Sequence, residues 1–149
     1  MKLFQKKPAW YVAGLAFECT QCGRCCAGPE EGYVWVTPDE IARLAEHLDM
    51  PEKDFRRTYV RRVGSRFSLK EVPTSHDCIF LGPIDGQEGK GCSVYSVRPK
   101  QCRTWPFWPS NIRSPRAWSL AGDRCPGINR GELHDPEFID EQARRTREH

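Results

Sequence analysis

Cysteine is the residue type in this chain that most clearly indicates chemistry. Eight of its 149 residues are cysteine, and four of these lie within eight positions, as Cys19, Cys22, Cys25 and Cys26. Cysteines three residues apart curl the backbone so that both sulfurs converge on one ion, and the intervening amides can hydrogen-bond to the sulfurs. The spacing therefore indicates thiolate ligands of a metal.

Four further cysteines follow over the next hundred residues: Cys78, Cys92, Cys102 and Cys125. Eight sulfurs suffice for two four-thiolate centres, and we expect all eight cysteines to be metal ligands. One division joins Cys125, which precedes Pro126, with the first three clustered cysteines, because bacterial iron–sulfur runs have a remote ligand followed by proline. Cys26 would then join Cys78, Cys92 and Cys102. Spacing alone does not fix this division.

Structural disulfides are the alternative use of eight cysteines, and in a secreted protein they would form four bonds. Cysteines packed this closely cannot easily pair with one another, because a disulfide requires specific Cα and Cβ separations. A chain of this length with capped helices also depends less on disulfides than a very small domain does. We therefore expect reduced thiols.

The N-terminal segment only loosely resembles a secretion signal. Lys2, Lys6 and Lys7 precede an apolar run over residues 9–17. That run is short, is interrupted by Gly14 and lacks a convincing cleavage site. We expect instead a strand or hairpin that packs on the core.

The identity of the metal stays open at this stage. Sulfur-only ligation suits both an iron–sulfur cluster and zinc. The repeated three-residue spacing favours a cluster such as [4Fe–4S], whereas the Cys-x-x-Cys knuckles and the scattered single cysteines favour zinc. A cluster would serve electron transfer, redox sensing or a partner assembly, and zinc would stabilise a structural or adaptor domain. One site of each kind is a further alternative.

Catalytic signatures are missing from the sequence. It contains no H-E-x-x-H, no phosphate loop, no nucleophile elbow and no paired carboxylates beside a histidine. His76, two residues before Cys78, is a candidate zinc ligand, but a lone loop histidine is more often exposed. The sequence thus favours a binding protein over an enzyme.

Helix caps and strand formers indicate the first elements that position the cysteines. Residues 33–36 are rich in strand formers. Thr37, Pro38 and Glu40 mark a helix start, and apolar residues recur at helical spacing over 41–48. A second helix is predicted from a cap at Asp49 to Gly64, and then a strand over 66–72.

Turns alternate with short apolar pieces between residues 73 and 109. They predict strand stubs at 78–81 and 92–95, a loop between them over 82–91, and a helical turn from Pro99. The segment 105–118, rich in proline and tryptophan, is predicted as an ordered loop, and 136–148 as a charged terminal helix. The expected fold is α+β, a small irregular single domain with two or three helices and short strands organised around the Cys-ligated metal site or sites.

The charge distribution says little about partners. The net charge is +3, and five arginines crowd one segment: Arg56, Arg57, Arg61, Arg62 and Arg66. Such a cluster is usually a solvated helix face, so nucleic acid is not indicated. No stretch approaches the roughly 18 apolar residues of a membrane span. An unknown protein partner stays open.

These motifs together resemble the bacterial and archaeal cysteine-cluster family named for its C-x-x-C-x-x-C-C signature. The resemblance spans residues 17–131, and all eight cysteines stand at the family's expected places. Beyond the first cluster it includes Asp77-Cys78-Ile-Phe80-Leu81, Arg98-Pro99-Lys-Gln-Cys102-Arg103 and Cys125-Pro126-Gly127. It implies a reduced intracellular protein with zinc or iron held by cysteine, which we expect in the cytoplasm. The length predicts one domain over 1–149, with a charged terminal helix at 132–149. The resemblance implies no particular reaction.

Overall fold

The computed structural model describes residues 9–26, 28, 32–83, 86 and 90–147, with only the backbone of Cys26 and Arg147. Lys2, Lys6 and Lys7 and most of the predicted loop 82–91 therefore lie outside the described residues. Within the described residues the chain forms, in order, β1 (Leu15–Phe17), β2 (Val34–Val36), α1 (Pro38–His47), α2 (Glu52–Tyr59), β3 (Val60–Val63), β4 (Arg66–Leu69), β5 (Leu81–Pro83), β6 (Lys90–Cys92), α3 (Lys100–Thr104), α4 (Pro109–Ile112), α5 (Pro115–Arg124), β7 (Ile128–His134) and α6 (Pro136–Arg147). Two 3₁₀ turns lie at Arg24–Cys26 and Tyr95–Val97.

The start of α1 confirms the predicted capping box. The Thr37 hydroxyl accepts a hydrogen bond from the Glu40 backbone N–H, and the Glu40 carboxylate accepts one from the Thr37 N–H. Ile41 and Leu44 on the apolar face are fully buried. Reciprocal capping satisfies amides that the first helical turn would otherwise leave unpaired, so the helix begins sharply at Pro38.

The second helix is shorter than predicted. It ends at Tyr59, and the chain continues directly as β3, which pairs with β4 through a turn at Gly64. Asp49 has a positive φ of 53° and the helix starts after Pro51 without a side-chain cap, so the predicted Asp49 cap is wrong. Valine at 60 and 63 favours a strand once a partner strand is available.

The expectation of two or three helices was also wrong, since the described residues contain six α-helices. The difference arises mainly in the segment predicted as a loop, which forms α4 and α5. Pro109 and Pro115 occupy the first turn of these helices. Proline suits that position, because its fixed φ is helical and its missing N–H would have no partner there. The α+β class itself is confirmed.

The strands form three small antiparallel sheets, with orders β1-β7, β2-β4-β3 and β5-β6. Two hydrophobic clusters underlie them. The first contains residues of β1, α5 and α6, including Leu15, Trp118, Cys125 and Ile139. The second contains residues of α1, α2 and β4 with Cys78, Phe80 and Val94, and Cys92 packs against it. Cys125 therefore lies in the first cluster, and Cys78 and Cys92 lie in or against the second. No helix in the described part of the chain is long and apolar enough to span a membrane.

Candidate metal centre

The clustered cysteines lie in a loop whose amides turn back onto the sulfurs. The Cys19 sulfur accepts a hydrogen bond from the Gln21 N–H at 3.4 Å, and the Cys22 sulfur accepts one from the Arg24 N–H at 3.5 Å. Gln21 has a φ of 56°, a left-handed conformation that closes the first of these turns. Such N–H···S bonds stabilise the thiolate form, as second-shell donors do at metal sites.

Gly23 allows this loop to lie directly on the β5–β6 hairpin. Its φ is 75°, and a Cβ there would be 2.6 Å from the Leu81 Cδ1 atom and 2.9 Å from the Lys90 carbonyl oxygen. Only glycine meets both demands without strain. In the hairpin, Leu81 pairs with Cys92. The loop and Cys92 are therefore held against each other by backbone packing.

Four thiols share one region of the structure. Burial raises the pKa of the Cys102 thiol well above its ordinary value, and Cys78, Cys25 and Cys92 raise it further, whereas Arg98 opposes them. Nearby thiolates disfavour one another's ionisation because like charges repel. We call Cys25, Cys78, Cys92 and Cys102 the four-thiol group. Its members come from the clustered loop, the Glu71–Cys78 bridge, β6 and α3.

Tyr95 connects this group to Cys19. Burial and a side-chain hydrogen bond with Cys19 raise the pKa of Tyr95, Arg98 lowers it, and the charges of Cys19 and Cys25 raise it. The Arg98 guanidinium lies 3.7 Å over the Tyr95 ring, and its Nε donates to the Tyr95 carbonyl at 2.9 Å. A hydroxyl donor and a cation thus lie beside the sulfurs, where both would offset thiolate charge.

The four-thiol group fits a sulfur-ligated metal in donor type. Zinc and iron both take cysteine thiolates, and the half-buried Cys102 interacts electrostatically with three other cysteines. Among the described residues, no three histidine, cysteine, aspartate or glutamate side chains form a group that could hold a metal ion, and the Cys26 side chain lies outside the described residues. The fit is therefore one of donor chemistry, not of a closed ligand shell.

Cys125 lies in a different setting. It is buried in the first hydrophobic cluster, where it caps the end of α5. The neighbouring Arg124 donates from its Nε to the Arg24 carbonyl at 3.0 Å, which joins the end of α5 to the 3₁₀ turn of the clustered cysteines. Cys25 interacts electrostatically with Cys102, whereas the division suggested by spacing placed it with Cys125.

His76, the candidate zinc ligand, is hydrogen-bonded to Glu71. Its Nδ1 lies 3.0 Å from a carboxylate oxygen of Glu71. The other Glu71 oxygen accepts from the Gly32 N–H at 2.7 Å. This carboxylate fastens the chain before β2 to the segment that leads to Cys78.

Sequence reasoning missed two residues that position the cysteines, Tyr95 and Asp77. Asp77 accepts a hydrogen bond from the Gly28 N–H at 2.8 Å, which ties the end of the clustered loop to the residue before Cys78. Both residues stand inside the motifs that surround Cys78 and Cys92. Their position within those motifs was the only signal of their roles.

Comparison with known proteins matches this arrangement to a family. The CxxCxxCC family, described as "Putative zinc- or iron-chelating domain", matches residues 18–129, which include all eight cysteines. The chain belongs to the CxxCxxCC family. The family's description, a zinc- or iron-chelating domain, supports metal binding by this chain.

One similar curated protein is the "Uncharacterized protein MJ0661" of Methanocaldococcus jannaschii. It is 36% identical over 98 residues, which cover 65% of this chain and 48% of that protein. The chain thus matches about half the length of this relative. No solved structure matches the chain.

Proposed function

We propose that this CxxCxxCC protein carries an iron–sulfur cluster on cysteine thiolates. Its role would be electron transfer, redox sensing or service as the metal-carrying subunit of an assembly, in the cytoplasm. The single observation that carries the proposal is the packing of the clustered-cysteine loop against the chain beside Cys78 and Cys92. Gly23 lies on Leu81, the strand partner of Cys92, and the Gly28 N–H donates to Asp77, the residue before Cys78. All eight cysteines remain candidate ligands. Cys19 and Cys22, which lie outside the four-thiol group, accept N–H···S bonds of their own.

The surroundings of the sulfurs favour a redox centre. Reduction adds negative charge, and hydrogen bonds to sulfur together with nearby positive charge stabilise the reduced form and set its potential. The Gln21 and Arg24 amides donate to two sulfurs, and Tyr95 is hydrogen-bonded with Cys19. Arg98 adds a cation that acts on Cys102. A bound cluster would supply one-electron chemistry, and these residues would tune it.

Zinc is the second candidate, favoured by a specific observation. The Cys19 and Cys22 turns are short knuckles, each closed by an amide two residues after the cysteine. Zinc sites commonly use such knuckles, and binding would contribute folding free energy by joining separate segments of the chain. If the metal is zinc, the protein would be a structural or adaptor domain without redox chemistry.

Anaerobic purification followed by metal analysis distinguishes the two candidates. We expect a brown protein with visible charge-transfer absorption, iron and acid-labile sulfide. A colourless protein that contains zinc and no sulfide would replace the cluster with the adaptor function. Four intact disulfides with neither metal would overturn both.

Cys102→Ser tests the four-thiol group directly. We expect it to lower metal content per chain and soluble yield together, because an uncharged hydroxyl is a poor substitute for a thiolate ligand. Thr104→Ser is the matched control, since Thr104 is a fully buried residue of the same helix and the change keeps its hydroxyl. Equal metal content in the two variants would remove Cys102 from the ligand set.

A further inference from the structure

A surface groove separate from the cysteines lies between β2 and the α3–α4 segment. Its volume is about 340 Å³, and Trp35, Arg66, Gln101, Trp108 and Ser110 are among the residues that line it. Within the described part of the chain, no aspartate or glutamate lines the groove, and Arg66 is its only charged side chain. The groove is therefore complementary to an anion that also carries an apolar or aromatic surface.

The Arg66 guanidinium has N–H groups that are available to a ligand. The guanidinium lies over the Trp35 indole, with its central carbon 3.7 Å from the ring centroid. Among the residues that the structure describes, the Arg66 side chain makes no ion pair or hydrogen bond. Stacking occupies the face of a guanidinium and leaves the N–H groups at its edge free to bind a phosphate in a bidentate manner.

The Trp35 wall is part of a longer stack. Tyr33 and Trp35 have ring centroids 4.8 Å apart and planes 14° apart, and the Arg61 guanidinium lies 4.7 Å over Tyr33. These side chains project from one face of the β2-β4-β3 sheet, as expected because Arg61 and Trp35 both pair with Ser68. The stack fixes Trp35, and through it the position of Arg66.

The opposite wall is also fixed. The Trp108 indole donates to the Gln101 carbonyl at 2.9 Å, and its ring meets Trp105 edge-on at 4.8 Å. Gln101 in turn uses both ends of its side-chain amide on β2, accepting from the Trp35 N–H at 2.8 Å and donating to the Tyr33 carbonyl at 2.9 Å. Because the polar atom of Trp108 is already paired, the indole offers the groove mainly carbon surface, on which a planar base can lie.

We propose that this groove binds a mononucleotide. The phosphate would bind the N–H edge of Arg66, the base would pack against Trp108, and the exposed Ser110 hydroxyl would hydrogen-bond to the sugar or base. Aromatic stacking combined with an arginine is a general means of holding nucleotides. A preformed site with rigid walls avoids much of the ordering cost of binding.

Calorimetric titration of the as-isolated protein with AMP, adenosine and inorganic phosphate tests the proposal. We expect AMP to bind at least tenfold more tightly than either fragment. Arg66→Gln should weaken AMP binding about tenfold or more and leave adenosine binding unchanged, because it removes the charged donors to the phosphate. Arg62→Gln, which removes the same charge from the opposite face of the sheet, should change neither.

Indole ¹⁵N spectra of the unmodified protein provide a test that needs no variant. On addition of AMP, the Trp35 and Trp108 resonances should shift, while Trp118, which donates to Asn129 in the first hydrophobic cluster, should not. The proposal is overturned if AMP binds no better than phosphate, or if the two arginine variants lose AMP affinity equally. Tighter binding of pentadeoxyadenylate than of AMP would also overturn it, because the occupant would then be a strand.

Discussion

One carboxylate oxygen of Glu40 accepts a hydrogen bond from the backbone N–H of Lys100, the first residue of α3. The other oxygen accepts from the Thr37 N–H at 3.1 Å and closes the capping box of α1. This carboxylate is only 8% exposed, and it serves the starts of two helices 60 residues apart. Because α3 carries Cys102, the position of that thiol depends on Glu40.

Glu40→Ala should therefore lower both stability and metal content. The change leaves two helix-start amides without their acceptor, and we expect the free energy of unfolding to fall by about 3 kcal/mol. Urea denaturation and metal analysis check this expectation. Glu46→Ala, an exposed change in the same helix, should cost no more than about 0.5 kcal/mol. Similar losses in the two variants would show that the contact with Lys100 does not stabilise the fold.

The local half of the Glu40 contact was predictable and the distant half was not. Thr37, Pro38 and Glu40 stand at capping-box spacing, so α1 could be located from the sequence. The contact with Lys100 depends on tertiary packing that no local pattern encodes. The prolines illustrate the same limit, because Pro109 and Pro115 can either break a chain or start a helix, and only packing decides which.

In the candidate site, too, the local features were predictable from the sequence and the distant contacts were not. Spacing indicated metal ligation by the clustered cysteines, because three-residue intervals act within one loop. It could not show that Cys25, Cys78 and Cys92 all act on the Cys102 thiol, since that interaction requires β6 and α3 to meet the loop. Tyr95 was missed because a tyrosine between strand and helix is usually a packing residue.

Gly127→Ala should disturb the path of the chain into Cys19. A Cβ at this position would be 1.9 Å from the Glu18 carbonyl oxygen, and the Glu18 N–H donates to the Gly127 carbonyl at 3.1 Å. Backbone must move to relieve the clash, so we expect a loss of about 1–3 kcal/mol in urea denaturation. Gly82→Ala is the matched control, because a Cβ there meets nothing within 4 Å. Comparable stability of both variants would contradict the close approach.

Tyr95→Phe should change the metal centre more than the fold. Phenylalanine keeps the ring beneath Arg98 but removes the hydroxyl that is hydrogen-bonded with Cys19. If the centre is a cluster, loss of a donor to sulfur should make the reduction potential more negative, because the reduced form loses stabilisation. Potentiometric titration measures the shift. Tyr33→Phe, in the stack on β2, should leave the potential unchanged, and an equal shift in both variants would contradict a role for the Tyr95 hydroxyl.

Asp77→Ala should loosen the far end of the clustered loop. Asp77 is 16% exposed on its side chain, accepts from the Gly28 N–H at 2.8 Å, and has its second oxygen 3.7 Å from the Lys90 Nζ. We expect a loss of about 1–2 kcal/mol, most of it from the amide contact, because Lys90 is exposed and its ion pair is screened by solvent. Metal content should fall as well, since Asp77 directly precedes Cys78. Asp77→Asn, which keeps an oxygen acceptor for Gly28, should recover most of both losses. Asp54→Ala, which breaks an exposed pair with Arg57, is the control for a surface change. If Asp77→Ala lowers the free energy of unfolding no more than Asp54→Ala does, Asp77 does not anchor the loop.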